Sequence, residues 1–538
     1  MASEPGTAAR QGPVQPGSAL LVAAAVVAFG FIGSRLLGVV RTTVIANEFG
    51  SQPDLSAYWV AFRIPDLIFQ VLAGATLGSA FIPVFIRIYR RESEKAAWQL
   101  ASTIITLVTV ATAALCVVGF VLAPWLVPLQ APDLGRDIGQ HAELTAKAVS
   151  LTRLMLLSTF LFAVSGMITG ILNARQQFLL PALAPMFYNI AIIGGALLLS
   201  GSMGVNGLAV GVVVGAGLHL AIQVPGLVRE RMAFRPNFDT KSAPVREVGK
   251  LMAPRVLGLA AAQMNFFITT YFASKLSSDA ISNLNYAWLI AGLPLAIFGM
   301  TISTAVFPTL AEQVAEGDRD ALNTTISRAL RTIMFFTIPA AIGLLLLREP
   351  VTITLLEHGK FTPADTAVTA SALGWYCLGI IPQAGIEIHS RGFYALGNTR
   401  TPVFLAVGAV VMNLVLSAAL WGPFEHEGLA FSVAAASWLE WVLLYVFYHG
   451  QTGAAVQQDV HALALFSVCG ALMAIILALA HFGLDANGQL HALILLIAGG
   501  VAGAALYHGF AAWFDVPNFA EYVGQLKRIV ARFRRSHA

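Results

Sequence analysis

The chain has 538 residues, 57% of them hydrophobic and 11% charged, with a mean hydropathy of +0.74. Soluble domains carry about 25% charged residues, so a water-soluble protein of this size would lack the polar surface to cover itself. At ~20 apolar residues per span, the composition supplies more than ten membrane helices and excludes soluble α/β, all-β and disulfide-stapled folds. The net charge of +4 is what cytoplasmic loops of membrane proteins accumulate, and it implies no nucleic acid partner. Cys116, Cys377 and Cys469 are isolated within apolar runs, which leaves no disulfide framework and no CxxC metal site.

In chain order, residues 1–18 form a polar tail rich in Gly, Pro and Ala, expected on the cytoplasmic side. The apolar run behind it is too long for a signal-peptide core and lacks a clear cleavage site, so it is expected to stay as the first span. Apolar runs between charge, Gly and Pro clusters predict fourteen membrane helices, at 19–47, 55–85, 98–123, 146–172, 182–200, 205–228, 247–273, 281–307, 322–347, 365–395, 402–421, 428–449, 461–482 and 490–513. These group into an N-lobe of six spans (19–228), a basic cytoplasmic linker (229–246), a C-lobe of six spans (247–450) and an added helix pair (451–513). Residues 514–538 place Phe519, Tyr522, Leu526 and Ile529 at 3–4 spacing among Lys527, Arg528 and Arg532. That is the pattern of a basic amphipathic helix on an anionic leaflet.

The loops set the orientation. One alternate set of loops and tails holds 22 of the 32 lysines and arginines, and the other holds only Arg136, Lys147, Lys275, Arg348 and Lys360. By the positive-inside rule both termini are cytoplasmic, which requires an even number of spans.

An internal repeat organises the spans. Gly33-Ser-Arg35-Leu-Leu-Gly38 recurs as Ala253-Pro-Arg255-Val-Leu-Gly258, a shift of 220; Pro181 recurs as Pro402 and Gly207-Leu-Ala209 as Gly428-Leu-Ala430, both at 221. The shift covers six helices, so the two lobes share an orientation and are related about an axis along the membrane normal. Transporters built this way bind substrate between the repeats and rock them for alternating access.

The chain carries no GxxxxGK[ST] phosphate loop, no HExxH, and no nucleophile elbow in a strand–turn–helix setting, so it is not expected to be an enzyme. No cofactor or metal is expected either, so any movement would be driven by an ion gradient, by membrane potential or by the substrate's own concentration difference. What remains is charge inside the bilayer, which is costly and marks function by default. Arg35 lies about 16 residues into the first span, near mid-membrane; it is either an inward-facing ligand site or a structural bridge to an acid. Arg41 is rotated ~120° from it on an ideal helix and either serves the same site or snorkels. Arg255 is the repeat mate of Arg35, close to where its span begins. Arg63 stands beside Pro65 and Asp66, an acid with which it could pair. Glu440, mid-span between Trp438 and Trp441, suggests proton or cation coupling, or pairing with a cavity arginine. Gln263, Asn265, Asn189 and Asn413 suit interhelical hydrogen bonds, and Asn413 could also ligate an ion. Glu387 and His389 suit an interfacial network.

Four stretches carry a family resemblance: Ser34-Arg-Leu-Leu-Gly-Val-Val-Arg41, Ala57-Tyr-Trp-Val-Ala-Phe-Arg-Ile-Pro65, Leu356-Glu-His-Gly-Lys-Phe-Thr362 and Gly392-Phe-Tyr-Ala-Leu-Gly-Asn-Thr-Arg-Thr-Pro402. Over roughly residues 20–450 the chain resembles the MurJ/MviN family, the lipid II flippases of the multidrug/oligosaccharidyl-lipid/polysaccharide exporter superfamily. The resemblance implies fourteen helices in two six-helix lobes with an added C-terminal pair. It also implies movement of undecaprenyl-diphosphate-linked disaccharide-pentapeptide from the inner to the outer leaflet of a bacterial cytoplasmic membrane, in peptidoglycan biosynthesis, with cell-wall synthesis proteins as further expected partners. Ser34, Arg35 and Arg41 match residues of the family's cationic cavity. The family's acid after the second arginine is Thr42 here, its span-2 acid Ser56, its span-2 arginine Phe69, and its span-8 Asp-Arg pair Trp288-Leu289. Arg255 and Arg63 are the candidates to compensate. The missing arginines keep open a flippase for another polyprenyl-diphosphate glycan, and a non-transporting scaffold of the cell-wall machinery is the alternative from a different class.

The loop asymmetry yields a topology test. Cysteines placed at residues 92 and 240 should be shielded from an impermeant thiol reagent in intact cells, and cysteines at 135 and 485 should be labelled; labelling at 92 from outside would reverse the orientation.

Overall fold

The computed structural model describes residues 16–72, 75–230, 232, 234–453, 457–481, 488–516, 519 and 524. The tail before residue 16, most of the predicted amphipathic tail and the side chain of Arg255 lie outside the described residues. The first half contains α1 (Pro16–Phe49), α2 (Pro53–Leu72), α3 (Ala75–Arg91), α4 (Glu94–Gln130), α5 (His141–Ala174), α6 (Leu179–Met203), α7 (Val205–Ala221) and the short α8 (Val224–Arg229). The second half contains α9 (Ala243–Ala273), α10 (Ala280–Pro294), a π-helical turn (Leu295–Met300), α11 (Thr301–Glu316), α12 (Arg319–Leu346), α13 (Arg348–Leu356), α14 (Pro363–Ala395) and α15 (Arg400–Thr452); α16 (Gln457–His481) and α17 (Gln489–Trp513) follow.

The chain is an all-α polytopic membrane protein. Among the described residues there is no strand, and eleven helices are long and apolar enough to cross a membrane; fourteen is the sequence's own count. The element boundaries depart from the expected spans in several places, among them 281–307, which divides into α10, the π-helical turn and α11. The run 55–85 is two helices, α2 and α3, and 205–228 divides into α7 and α8. The runs 402–421 and 428–449 are joined as α15, with non-helical backbone at Glu425 (φ 46°, ψ −132°) where the chain turns. Residues 348–356, expected as loop, form α13, because its Arg348-Glu-Pro350 start masks an apolar turn behind it.

The repeat has a physical counterpart. A Cβ on Gly207 would stand 2.6 Å from Leu199 Cβ, and one on Gly428 would stand 2.5 Å from Leu420 O. Leu199 and Leu420 are themselves 221 apart, so both halves use the same glycine to bring paired helices into close approach. Asn189 and Asn413 also play corresponding parts: Asn189 on α6 donates to Ser34 O on α1 at 3.5 Å, and Asn413 on α15 donates to Asn265 on α9 at 2.9 Å.

Helix α9 belongs to both halves. Toward Ala273 it packs along α15, while near its start Val245 and Val248 enter a cluster with Phe81, Phe85 and Trp98 of α3 and α4. An ion pair from Arg87 Nη2 to Glu247 Oε2 at 2.5 Å flanks that contact. The helices after the repeat pack on α12 and α13, where Asp459 is 1% exposed and meets Arg331 Nε at 3.3 Å.

Overpacking a close helix contact costs roughly 1–3 kcal/mol. Gly428→Leu should therefore lower the thermal midpoint of the purified protein, whereas Gly408→Leu, which meets nothing within 4 Å, should leave it nearly unchanged.

Candidate functional site

A cavity of about 590 Å³ lies between α1, α5 and α6 of the first half and α10 and α13 of the second. Helix α1 supplies its polar wall through Ser34, Arg35, Arg41 and Thr42. Two arginines ~120° apart around a helix face one space only if that space wraps a broad arc of it. The lining does so, taking in Gly38, Val39 and Thr43 as well. Thr169 and Asn173 of α5 and Tyr188 and Asn189 of α6 add hydrogen-bonding groups, and the opposite wall is apolar, with Leu289, Leu293 and Leu355. Arginine offers a fixed, always-charged fork suited to phosphate oxygens, and a charge partly withdrawn from water acts more strongly than one in bulk solvent.

The cavity is sealed at the end of α1. The Lys360 amide donates to Asn47 O at 2.9 Å, Tyr286 Oη donates to Gly50 O at 2.9 Å, and Ser51 Oγ donates to Asp365. Ser56 and Ser282 hydroxyls meet at 3.0 Å one turn deeper. Two glycines permit this. Gly50 (φ +58°) and Gly359 (φ +56°) take the left-handed conformation, and a Cβ on either would stand 2.4 Å from a carbonyl of the facing segment, so both the turn and the approach require glycine. The facing segment is held by a capping box at Thr362 and Asp365, with Pro363 in the first turn of α14, which is a local sequence signal for a fixed loop. Phe49 and Arg35 are 14 residues apart, which puts the arginine about 21 Å from the seal along α1.

Of the candidate residues, the structure brings Ser34, Arg35 and Arg41 into this cavity with Leu289. Phe69 packs instead on Phe162, with ring centroids 5.4 Å apart, and Ser56 belongs to the seal. Arg63 lies elsewhere. It reaches across the seam into a second cavity of about 220 Å³ within the other half, lined also by Asn265, Phe266, Asn285, Trp288, Gln383 and Glu440. There it donates to Asn285 Oδ1 at 2.6 Å and stacks 4.7 Å above Phe266. The expected pairing with Asp66 is not formed among the described residues; Asp66 accepts from Gln263 Nε2 at 2.8 Å instead. Arg63 and Asp66 each take a neutral amide instead, on α10 and α9 respectively. Glu440 likewise takes no ion pair among the described residues. Asn265, Asn413 and Ser417 form a neutral chain, with Ser417 Oγ donating to Asn413 Oδ1 at 3.2 Å. Glu387 pairs with Arg391 at 3.5 Å, and His389 is fully buried on Gly385 O. Asn285, Phe266 and Gln383 were not anticipated; neutral amides and an aromatic in apolar runs give no signal beyond their polarity.

Comparison with known proteins decides the family. A family profile for lipid II flippase MurJ matches residues 45–499. The chain belongs to the lipid II flippase MurJ family. Lipid II flippase MurJ of Burkholderia cenocepacia is 30% identical over 419 residues, covering 77% of this chain and 80% of that protein. A probable lipid II flippase MurJ of Vibrio cholerae is 29% identical over 457 residues, covering 82% and 85%. In fold the chain is similar to a solved lipid II flippase MurJ in an inward closed conformation, with a TM-score of 0.77 at 24% identity over 91% of this chain and 98% of that one. It is also similar to an inward-facing multidrug resistance MATE family transporter, with a TM-score of 0.65 and 16% identity. The MurJ family is one of flippases rather than of catalytic enzymes, consistent with the lack of catalytic motifs.

The seal makes a geometric prediction. In a background with Cys116, Cys377 and Cys469 replaced, Ser56→Cys with Ser282→Cys should form a disulfide under mild oxidation, read as a mobility shift after protease cleavage of the linker; failure to cross-link would show that these helix starts do not meet.

Proposed function

We propose that the chain carries lipid II from the cytoplasmic to the outer leaflet of a bacterial inner membrane by alternating access. The observation that carries this reading is the cavity between the halves, with two guanidiniums on α1 and one end closed by hydrogen bonds between the two halves. With both termini cytoplasmic, the seal at residues 47–51 and 358–365 is the outer gate, and the cavity extends toward Gly30 and the α5–α6 turn at Phe178 on the inner side. The diphosphate of the lipid-linked disaccharide-pentapeptide binds Arg35 and Arg41, the sugars and peptide occupy the polar volume, and the polyprenyl chain stays in lipid. Each gate hydrogen bond contributes about 0.5–1.5 kcal/mol, so a small differential affinity for substrate suffices to shift the closed and open populations. An ion gradient or the membrane potential supplies direction. Other polyprenyl-diphosphate glycans and a scaffold role are not favoured by the relatives, all named as lipid II flippases or probable ones. Arg255, repeat mate of Arg35, supplies counter-charge from the second half in place of an arginine at Leu289.

Arg35→Ala and Arg41→Ala should each cut flipping of lipid II in reconstituted vesicles at least tenfold at normal protein abundance, with Lys rescuing poorly because a point charge lacks the bidentate fork. Arg255→Ala should also impair flipping, and Leu289→Arg should restore part of it. Full activity of Arg35→Ala would remove the phosphate site.

A further inference from the structure

The larger cavity has two kinds of polar wall. Arg35 and Arg41 offer only N–H donors, which suits phosphate oxygens. The sugars and peptide of the proposed cargo bring hydroxyl and amide donors, which need acceptors instead. Three polar residues lining the same cavity have committed their protons to the protein. Thr42 Oγ1 donates to Gly38 O at 3.0 Å, Asn189 Nδ2 donates to Pro185 O at 2.9 Å and also to Ser34 O, and Thr169 Oγ1 donates to Gln223 Oε1 at 2.8 Å. Thr42 and Asn189 bond the preceding turn of their own helix, a common habit of short polar side chains. The Thr169 bond is different: it crosses from α5 to the turn between α7 and α8, where a buried network receives it.

That network fixes the direction of every proton in it. Gln223 and Ser165 are 0% exposed. A carbonyl oxygen only accepts, so the Gln223 atom 3.0 Å from His219 O is the amino nitrogen Nε2, which also donates to Ser165 Oγ at 2.8 Å. Ser165 passes its own proton to His219, whose Nδ1 is 2.7 Å away. Gln223 Oε1 is left for Thr169, and the one O–H of Thr169 is spent on it. A group that reaches Thr169 Oγ1 from the cavity therefore meets lone pairs alone. Hydrogen bonds between α5 and α7 also serve packing, yet the second half builds its corresponding helices without them. The positions 221 residues on from Ser165, Thr169, His219 and Gln223 hold Ile386, Ser390, Glu440 and Leu444. The repeat keeps its close-approach glycine in both halves and keeps this network in one.

We propose that Thr169 is a specificity-determining residue of the larger cavity, an acceptor for an O–H or N–H of the sugar–peptide head, and that Gln223 is the positioning residue that keeps it an acceptor. This rests on the lipid II reading and deepens it. The guanidiniums of α1 take the diphosphate, which every polyprenyl-diphosphate lipid carries, and the α5 wall tests what is attached to it. A hydroxyl free to rotate would serve donor and acceptor alike and discriminate little. Held by Gln223, it favours a head that presents a neutral donor, and a bare diphosphate lipid brings no sugar hydroxyl or amide to it.

The test uses the purified full-length protein in lipid nanodiscs and equilibrium binding of two probes, lipid II and undecaprenyl diphosphate. The wild type should bind lipid II more tightly. Thr169→Val, close in shape but without the oxygen, should weaken lipid II binding about fivefold and leave undecaprenyl diphosphate unchanged, while Thr169→Ser should bind both as the wild type does. Gln223→Leu should lose part of the same preference, and combining it with Thr169→Val should cost no more than Thr169→Val alone. Additive losses in the double variant would overturn the positioning role of Gln223. Equal affinity of the wild type for the two probes, or an intact lipid II preference in Thr169→Val, would overturn the proposal and leave the phosphate site standing. A Thr169→Val protein that loses both probes equally, with a lowered thermal midpoint, would assign the network to packing and overturn it too. Arg35→Ala should weaken both probes alike. Normal binding of both by Arg35→Ala, beside a Thr169→Val that loses lipid II only, would overturn the phosphate site and support the acceptor.

Discussion

A guanidinium cannot rest in hydrocarbon, and the placement of charge along the seam between the halves follows from that constraint. Every described charged side chain in the membrane interior has to find water, a counter-group or a polar cavity, and a two-fold repeat offers such a place between its halves. Arg35 and Arg41 line the larger cavity, Arg63 and Glu440 the smaller one, and Asp66 meets Gln263 across the α2–α9 contact. The apolar faces of α16 and α17 carry no such burden, and they attach where Asp459 and Arg331 neutralise each other. Two of these arginines, Arg35 and Arg41, thus lie on the surface that must open for a large polar head to pass.

That surface is held shut by weak and renewable contacts. At the gate the bonds are one backbone amide, one phenol, one hydroxyl pair and one Ser–Asp bond, each replaceable by water when the gate opens. Beside these bonds Phe49, Tyr286 and Phe361 are buried in one apolar cluster, with the Tyr286 and Phe361 rings 5.5 Å apart. Gly50 and Gly359 let the two backbones approach closely, with no Cβ at either position to hold them apart. At the other end, α9 works differently. One side of its first turns, through Val245 and Val248, packs among Phe81, Phe85 and Trp98, with the Arg87–Glu247 pair alongside. A helix anchored in one half at its start and in the other along its length has to bend or tilt when the halves rock.

Much of this was legible in the sequence, for identifiable reasons. The spans follow from hydropathy, and the repeat is visible because Gly207 and Gly428 meet the same neighbour in each half. Arg35 and Arg41 stood out because charge inside an apolar run has few structural excuses. The smaller cavity was not legible. Its lining comes from five helices, mostly as single amides and aromatics that no spacing links, and Arg63 seemed to have a nearer partner in Asp66. Helix α13 was missed because a charged, proline-containing start resembles a loop, and the double allegiance of α9 depends on packing that no single-helix pattern encodes. The gate left only Gly359 and the Thr362–Asp365 cap as traces, since backbone-to-backbone contact has no side-chain signature.

The two cavities meet on one element. Helix α10 turns Leu289 and Leu293 toward the phosphate-sized cavity and Asn285 and Trp288 toward the smaller one. Adjacent residues on a helix point 100° apart, so neighbouring Trp288 and Leu289 line different spaces. The same helix begins beside the gate, where Ser282 and Tyr286 bond the ends of α1 and α2, and it ends in a π-helical turn at Leu295–Met300. Such turns change helical register locally and mark places where a helix can yield. A shift of α10 as a rigid rod about that turn would act on all three regions at once: it would release the gate, change the apolar wall opposite Arg35, and move Asn285 away from Arg63. The gate and the two cavities can therefore influence one another without a long chain of contacts, because one helix borders all three.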